Sequence, residues 1–358
     1  MLNPKTSVDT ALGSRYPEAE LGDYQSGRVI LSMGAIPDEL SNVHQGTVFF
    51  EFPDSDVLEL SGRHAERLLH GLVTQDIRGL PVGRATWSSA VNRYGRLISD
   101  FRVWRTSDAS YLLIGPPESG APLAEHIFAH RVAERIELDW KSPTCSCLVL
   151  AGATLEQVLE SDASAPELGS LELAGVAIDH GPGPELGVPT RVLVVPNESM
   201  AAVTEALVEK GAQAAGTDLY DILRVESGYP LFGYEATADR MPIEVGMTDT
   251  VSYLKGCYVG QEVIAMATYR GHPNRLLCGV VFESSEQAPE AGTKLEFESG
   301  KPGILTTSVL SPRLGKAAGL AVVHHTCAEP GTVVFCQIGE ERIQGELVAF
   351  PLVASPST

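Results

Sequence analysis

The chain has 358 residues, of which 44% are hydrophobic and 20% are charged, and its formal net charge at pH 7 is −20. This balance is typical of a globular protein with more than one packed core, and it excludes a fibrous or extensively disordered chain. The strong negative charge argues against a general binder of nucleic acids or anionic lipids. No apolar run is long enough to cross a membrane, and the first 25 residues lack the pattern of a secretory signal, so we expect a cytoplasmic protein.

The first half of the chain predicts alternating strands and helices. Residues 1–45 contain Gly, Ser and Pro without a sustained period and predict an extended or loosely docked arm. The elements expected after the arm are a strand VFFEF, a strand VLEL, a helix over residues 65–73 capped by Ser61, a hairpin over residues 85–106 with its turn at Asn92 to Gly95, a strand YLLIG and a helix over residues 121–136.

The second half predicts two different patterns. Strands at residues 145–151 and 191–196 with helices at 153–160 and 198–210 continue the mixed α/β order. No GxGxxG or GxxxxGK[ST] loop occurs, so a nucleotide-phosphate cradle is not expected. After Arg275 six short strands follow one another, separated by Gly and Pro, and they predict a small β-barrel or sandwich. They are LLCGVVF, TKLEF, GILTTSVL, AAGLAVV, TVVFCQI and QGELVAF.

The six cysteines are too scattered for a disulfide framework, and the sequence has neither a CxxC pair nor an HxxxH spacing. We therefore expect reduced thiols and no metal site. Cys145 and Cys147 alternate along an apolar strand and should share one buried face.

The segment Lys255–Glu262, KGCYVGQE, places a thiol between two glycines and beside a lysine. Gln261 and Glu262 could begin a helix that runs through Ala267. A thiol beside a cation at a helix start ionises more readily than an isolated one. The alternative is that Cys257 only fills a tight turn.

This motif, followed by Tyr269-Arg270-Gly271 and Arg275, resembles the signature of the YgfZ family of folate-binding proteins, within the glycine-cleavage T-protein (aminomethyltransferase) superfamily. Further blocks of the chain, including HGLVTQDIRGL, RVESGYPLFGYE and GILTTSVLSPRLGKAAGLAVV, resemble the superfamily in the same order. The resemblance implies an α+β fold, with a folate-binding domain of mixed α/β subdomains arranged as a ring and a C-terminal small β-barrel. The expected domains are an arm at 1–45, the folate-binding domain at 46–275 and the barrel at 276–358.

The resemblance also implies site residues for tetrahydrofolate or a one-carbon derivative. Glu226 matches the family's pterin-binding glutamate, since one carboxylate can accept both the ring N–H and the exocyclic amine. Asp100 matches the acid that stabilises positive charge near the reacting nitrogens, or it is a strand aspartate beside Arg102. Further candidate folate contacts are Tyr229, Tyr234 and Tyr258 for the benzoyl ring, Arg93, Arg270 and Arg275 for the glutamate tail, and Lys255 and Gln261 in the motif.

Three functions remain open from the sequence. The first is a tetrahydrofolate-dependent accessory protein that supports maturation or repair of iron–sulfur enzymes through Cys257, with iron–sulfur client or assembly proteins as partners. The second is a folate-dependent aminomethyl or methyl transferase that uses Asp100. The third is a folate-binding scaffold without turnover. Met266 stands where YgfZ proteins usually have Arg, and its helical spacing from Glu262 predicts an inward apolar side chain.

Overall fold

The computed structural model describes residues 11–25, 27–269, 271–284, 286–298 and 300–354. Its contacts divide the chain into two compact units. The first contains the described residues up to Ala90 together with Ile98–Tyr220 and Leu254–Tyr258, and the second contains Val91–Leu97, Asp221–Tyr253 and the described residues from Val259 onward.

The N-terminal region of the first unit has regular secondary structure, and the prediction of an extended or loosely docked arm was wrong for the described residues. A helical turn at residues 11–15 precedes an antiparallel hairpin and a helix. Leu12, Val29, Ile30 and Val43 are buried here. Burial of these few apolar side chains is enough to order the segment. Its Gly, Ser and Pro residues interrupt the apolar spacing by which a helix or strand would be recognised in the sequence. The elements are β1 (Glu20–Tyr24), β2 (Gly27–Ser32) and α1 (Ile36–Gln45).

The first unit contains a six-stranded sheet, in the order β10-β11-β12-β9-β3-β13. All neighbours are antiparallel except β13, which pairs parallel with β3. Apolar side chains of α4 and α5 pack with those of the sheet into one core, as the predicted periods require. The elements are β3 (Thr47–Phe52), β9 (Cys145–Ala151), α4 (Leu155–Leu159), β10 (Gly169–Leu173), β11 (Val176–Pro182), β12 (Thr190–Pro196), α5 (Met200–Glu209) and β13 (Ala212–Ala214).

A second sheet has five strands, in the order β5-β6-β7-β4-β8. The predicted hairpin is present, with Asn92–Gly95 as its turn. Ser61 is the last residue of β4 and does not cap the next helix, whose N-cap is His64 without a side-chain capping bond. The elements are β4 (Asp56–Ser61), α2 (Ala65–Leu72), β5 (Arg84–Val91), β6 (Leu97–Arg105), β7 (Ser110–Gly115), α3 (Gly120–His130) and β8 (Glu137–Trp140).

The predicted six C-terminal strands form one sheet in the second unit, in the order β15-β16-β17-β14-β19-β18. A bridge between Glu296 and Phe335 links its two edges, so the sheet is a nearly closed barrel around an apolar core. Closure removes the exposed strand edges. The strands are β14 (Arg275–Phe282), β15 (Lys294–Leu295), β16 (Gly303–Ser311), β17 (Lys316–His324), β18 (Val333–Ile338) and β19 (Glu341–Val348).

Two further helices frame the glycine-rich segment between the α/β region and the barrel. They are α6 (Thr217–Ser227) and α7 (Gln261–Tyr269). Short 3-10 helices at Pro242–Glu244 and Thr248–Thr250 lie between them. None of the described helices has the length and apolar character needed to cross a membrane.

Candidate functional site

Asp100 lies within β6 as a buried carboxyl group. The indole N–H of Trp87, on the neighbouring strand β5, donates a hydrogen bond to Asp100 Oδ1. Burial raises the pKa of Asp100 to about 7, and the Trp87 hydrogen bond and the charge of Arg102 act in the opposite direction. This carboxyl can therefore gain or lose a proton near neutral pH, which an exposed aspartate cannot do.

Lys255 is an internal cation of the first unit. Its ammonium group donates to the backbone carbonyls of His70, Val73 and Gln75, at 2.8 Å for Val73 and 2.9 Å for Gln75. These carbonyls belong to the end of α2 and the turn after it, where a helix leaves carbonyls without partners. Burial lowers the pKa of Lys255 to about 8. All three ammonium hydrogens are thus used inside the protein, so this geometry gives Lys255 an anchoring role where we had expected a folate contact.

Tyr258 lies on the buried side of the same segment. Its ring centroid is 5.0 Å from Lys255 Nζ, and the residue is 8% exposed. Lys255 and Tyr258 therefore anchor both ends of the tetrapeptide that contains Cys257.

Cys257 is exposed, whereas the other five cysteines are buried. Burial raises the pKa of Cys147 to about 12 and that of Cys278 to about 11. Cys257 precedes the first residue of α7 by four positions, so the expected effect of a helix start does not apply to it. Within the described part of the chain, no three His, Cys, Asp or Glu side chains are grouped to hold a metal ion.

Glu226 lies in the last turn of α6 and is 3% exposed. The hydroxyl of Ser311 donates to Glu226 Oε1 at 2.5 Å, and Nη1 of Arg313 donates to Oε2 at 3.2 Å. Burial raises the pKa of Glu226, while Ser311 and Arg313 act in the opposite direction. The expected β-unit therefore lies directly beside Glu226. Neither Ser311 nor Arg313 was predicted as a site residue, although both lie in the SPRLG segment at residues 311–315.

A second buried ion pair supports the loop after Glu226. Nη1 of Arg224 donates to Glu235 Oε2 at 2.9 Å, and Nη2 donates to the hydroxyl of Thr307 in β16 at 2.8 Å. Arg224 and Glu235 have fully buried side chains. The Arg224 guanidinium lies 5.5 Å from the ring centroid of Tyr234, and the backbone N–H of Tyr229 donates to the Arg224 carbonyl. Arg224 therefore contacts both Tyr229 and Tyr234, the two tyrosines of this loop that were proposed to contact the benzoyl ring of the folate.

The remaining predicted contacts are more dispersed. Gln261 is the first residue of α7 and is half-buried. Arg93 is exposed and stacks on the neighbouring Tyr94 ring at 4.7 Å. Arg275 begins β14 and pairs with Asp239 at 3.1 Å. Arg270 lies outside the described residues.

Met266 is 52% exposed, so the prediction of an inward side chain was wrong. Ile264 is the buried residue of α7, and it packs so near Gly95 that a Cβ at that glycine would lie 3.3 Å from Ile264 Cγ1. The buried face of α7 is therefore narrow, and Met266, two positions after Ile264, lies on the face of the helix that is exposed to solvent.

Strand register separates Arg275 from Glu226 within the second unit. Arg275 pairs with His324, and Ile304 lies beside that end of the sheet, where it pairs with Val322. Ile304 and Ser311 both belong to β16, and Ser311, the partner of Glu226, is the last residue of that strand. The seven residues from Ile304 to Ser311 correspond to about 20 Å along the strand. The barrel therefore carries two different polar sites at opposite ends of β16.

Comparison with known families accounts for this architecture. Residues 16–172 match the GCVT N-terminal domain, and residues 275–353 match the glycine cleavage T-protein C-terminal barrel domain. The chain belongs to the aminomethyltransferase superfamily. The superfamily fold, mixed α/β domains followed by a C-terminal barrel, is the fold expected from the sequence.

Individual members of the superfamily match nearly the whole chain. An aminomethyltransferase of Halalkalibacterium halodurans is 25% identical and covers 94% of this chain and 96% of its own length. One of Streptomyces avermitilis is 26% identical, with 93% of each covered. The crystal structure of the glycine cleavage system aminomethyltransferase T from Bartonella henselae superimposes with a TM-score of 0.86 at 19% identity, covering 96% of this chain and 97% of that one.

The two domain matches include some of the candidate residues and not others. Asp100 lies within the first matched range, and Ser311 and Arg313 lie within the second. Glu226 and the motif Lys255–Glu262 lie between the two ranges. Membership of the superfamily is therefore established without the motif, and the YgfZ subfamily is a separate question.

Proposed function

We propose that this chain binds a reduced folate, tetrahydrofolate or a one-carbon derivative, and transfers an aminomethyl or methyl group. Aminomethyltransferases of the superfamily use tetrahydrofolate as the one-carbon carrier. The observation on which the proposal rests is Asp100, a buried carboxyl group whose pKa is raised to about 7. Ionisable groups with such pKa values are characteristic of catalytic sites.

Glu226 is the proposed pterin contact. A pterin presents a ring N–H beside an exocyclic amine, and a carboxylate accepts both in parallel. Ser311 and Arg313 fix the carboxylate and favour its ionised form. A pterin would share these oxygens with them, since each carboxylate oxygen has two acceptor positions.

Asp100 is the proposed charge-stabilising acid. Tetrahydrofolate supplies the nitrogen atoms that carry the one-carbon group. Asp100 in its ionised form would stabilise positive charge that develops on those atoms, and in its protonated form it can return a proton. Trp87 orients the carboxyl through its indole N–H, so its remaining oxygen keeps a fixed direction.

Mass spectrometry of the small molecules that accompany the purified native protein tests this proposal. We expect a reduced folate, and we expect calorimetry with added tetrahydrofolate to show one saturable site. An aminomethyl donor should then be consumed in a folate-dependent manner. Absence of folate from the protein together with no heat of binding would contradict the proposal. Binding without any transfer would instead support a non-catalytic folate scaffold.

A second candidate function, support of iron–sulfur enzyme maturation or repair, is favoured by Cys257. A thiol can act as nucleophile, redox group or metal ligand only where a partner can reach it. Cys257 is exposed, and its segment is anchored by Lys255 and Tyr258. The names of the curated relatives support the transferase, whereas the KGCYVGQE motif supports this alternative.

Alkylation and complementation separate the two candidates. Iodoacetamide applied to the native protein over a pH series should label Cys257 faster than Cys145 and Cys147. Cys257→Ser should reduce iron–sulfur enzyme activity in cells that lack the wild-type protein, and the matched change Cys145→Ser should not. If Cys257→Ser complements as well as wild type, the accessory role is excluded and the transferase remains.

A further inference from the structure

A cavity of about 440 Å³ opens at the end of the barrel that is distant from Glu226. Arg240, Arg275, Lys301 and His324 line it, with Asp239 as the one acidic residue among the lining side chains. Apolar residues of β16 and β17 form the rest of its wall. In a chain with a net charge of −20, a concave surface with this excess of basic groups is unusual.

Arg240 is the most buried cation in this cavity. Its Nη1 donates to the carbonyls of Tyr234 and Glu235, but its Nε is buried without a hydrogen-bond partner. The closest carboxylate oxygen, on Asp239, is 3.9 Å away. Burial lowers the pKa of Arg240. The carboxylates of Asp239, Glu235 and Glu244 act in the opposite direction, and the charge of Arg275 acts in the same direction as burial. A buried N–H without an acceptor beside a second cation is costly unless an anion supplies the missing contact.

Lys301 and His324 extend the basic surface. Lys301 Nζ lies 3.2 Å from Nε2 of His324, and the His324 ring lies 4.5 Å from that of His325. Desolvation lowers the pKa of His324, and Lys301 and His325 act in the same direction, so all three favour its neutral form. Lys301 therefore carries the positive charge on this part of the wall, and a bound anion would pair with it.

We infer that this cavity, which we call the barrel-end pocket, binds a small polyanion that carries adjacent phosphate or carboxylate groups. The guanidinium groups of Arg240 and Arg275 are suited to phosphate and carboxylate ligands because a guanidinium donates paired hydrogen bonds to such oxyanions. The cavity volume accommodates more than one such group. The separation of about 20 Å along β16 makes the pocket distinct from the proposed pterin contact at Glu226.

Calorimetry at low ionic strength, with pyrophosphate and a γ-linked triglutamate as separate probes, tests the inference. We expect saturable binding of at least one probe that weakens as salt is added. Tighter binding of pyrophosphate identifies a phosphorylated ligand, and tighter binding of triglutamate identifies a polycarboxylate such as a folate tail. No binding of either probe by the wild-type protein would overturn the inference.

Three variants locate the binding. The double change Arg275→Gln with Lys301→Gln should weaken binding at least roughly tenfold, because it removes two charge-assisted contacts. Asp239→Asn should tighten binding several-fold, since it removes the carboxylate that competes for Arg275. Lys316→Gln is the matched control: it removes one positive charge at the other end of the sheet and should leave binding unchanged. Equal weakening by Lys316→Gln would show unspecific attraction and overturn the site.

Folate binding by one of the single variants keeps the two proposals separate. Lys301→Gln alone leaves every predicted folate contact in place, so it should bind tetrahydrofolate monoglutamate as the wild-type protein does. If the wild-type protein binds pyrophosphate but no folate, the barrel-end pocket stands and the proposed function fails. If folate binds and neither probe does, the reverse holds.

Discussion

Asp100 and Glu226 are both buried carboxyl groups, but the protein compensates their charges differently. Glu226 receives a hydroxyl and a guanidinium, Ser311 and Arg313, one on each carboxylate oxygen. Asp100 receives one neutral indole N–H from Trp87, with Arg102 acting only through its charge. The difference suits Glu226 to act as a fixed acceptor and Asp100 to change protonation at the pH of the cell.

The largest expected effect of this difference is on the pH dependence of stability. The folded-state pKa of Asp100, about 7, lies above its ordinary value of 3.8, so the folded chain binds the extra proton and loses stability as pH rises from about 4 to about 7. Asp100→Asn removes this loss. Between pH 5 and pH 8 the variant should gain roughly 2–3 kcal/mol of unfolding free energy relative to wild type.

Urea titrations of both proteins at pH 5 and pH 8 measure this difference. Other titrating groups cancel because they are common to the two proteins. If the wild-type protein and Asp100→Asn follow the same pH dependence, Asp100 does not titrate in this range, and its proposed role as a proton-exchanging acid is wrong.

Arg313→Met tests the compensation at Glu226. Arg313 is 21% exposed and Glu226 is 3% exposed, so the change leaves a buried carboxylate with only a hydroxyl partner. We expect a loss of about 2 kcal/mol in unfolding free energy at pH 8 and a smaller loss as the pH is lowered, because protonation of Glu226 removes the buried charge that Arg313 compensates. Arg342→Met, an exposed arginine in the same barrel, is the matched control and should change stability little.

Trp87→Phe should have the smallest effect of the three. The phenyl ring keeps most of the packing and removes the N–H that Asp100 accepts. The pKa of Asp100 should rise above its wild-type value, and unfolding free energy at pH 8 should fall by about 1 kcal/mol. An NMR titration of the Asp100 carboxyl carbon measures the shift; an unchanged or lower pKa would show that the indole does not stabilise the ionised form.

Much of this architecture could be predicted from local sequence patterns. The β5–β6 hairpin follows from its turn residues, and the six strands of the barrel follow from Gly and Pro punctuation. The N-terminal hairpin could not be predicted because two of its buried residues are Gly22 and Gly27, which interrupt the apolar alternation of a strand. The partners of Glu226 could not be predicted either, because they are far from it in the sequence; Ser311 is 85 residues away.

The motif shows the same limit. Its lysine could be recognised as a cation beside Cys257, yet its hydrogen bonds go to three carbonyls about 180 residues earlier in the chain. Backbone acceptors carry no sequence signature, so no pattern could have predicted them. The exposure of Met266 depends likewise on the narrow contact of α7.

Calorimetry of tetrahydrofolate binding by wild type, Glu226→Gln and Asp100→Asn tests the central distinction most directly. The amide in Glu226→Gln replaces an acceptor oxygen with a donor, which should weaken binding by about 1.5–3 kcal/mol, or roughly 10- to 150-fold. Asp100→Asn should bind within about threefold of wild type and lose one-carbon transfer. Equal affinity of Glu226→Gln and wild type would contradict the assignment of Glu226 as the pterin acceptor.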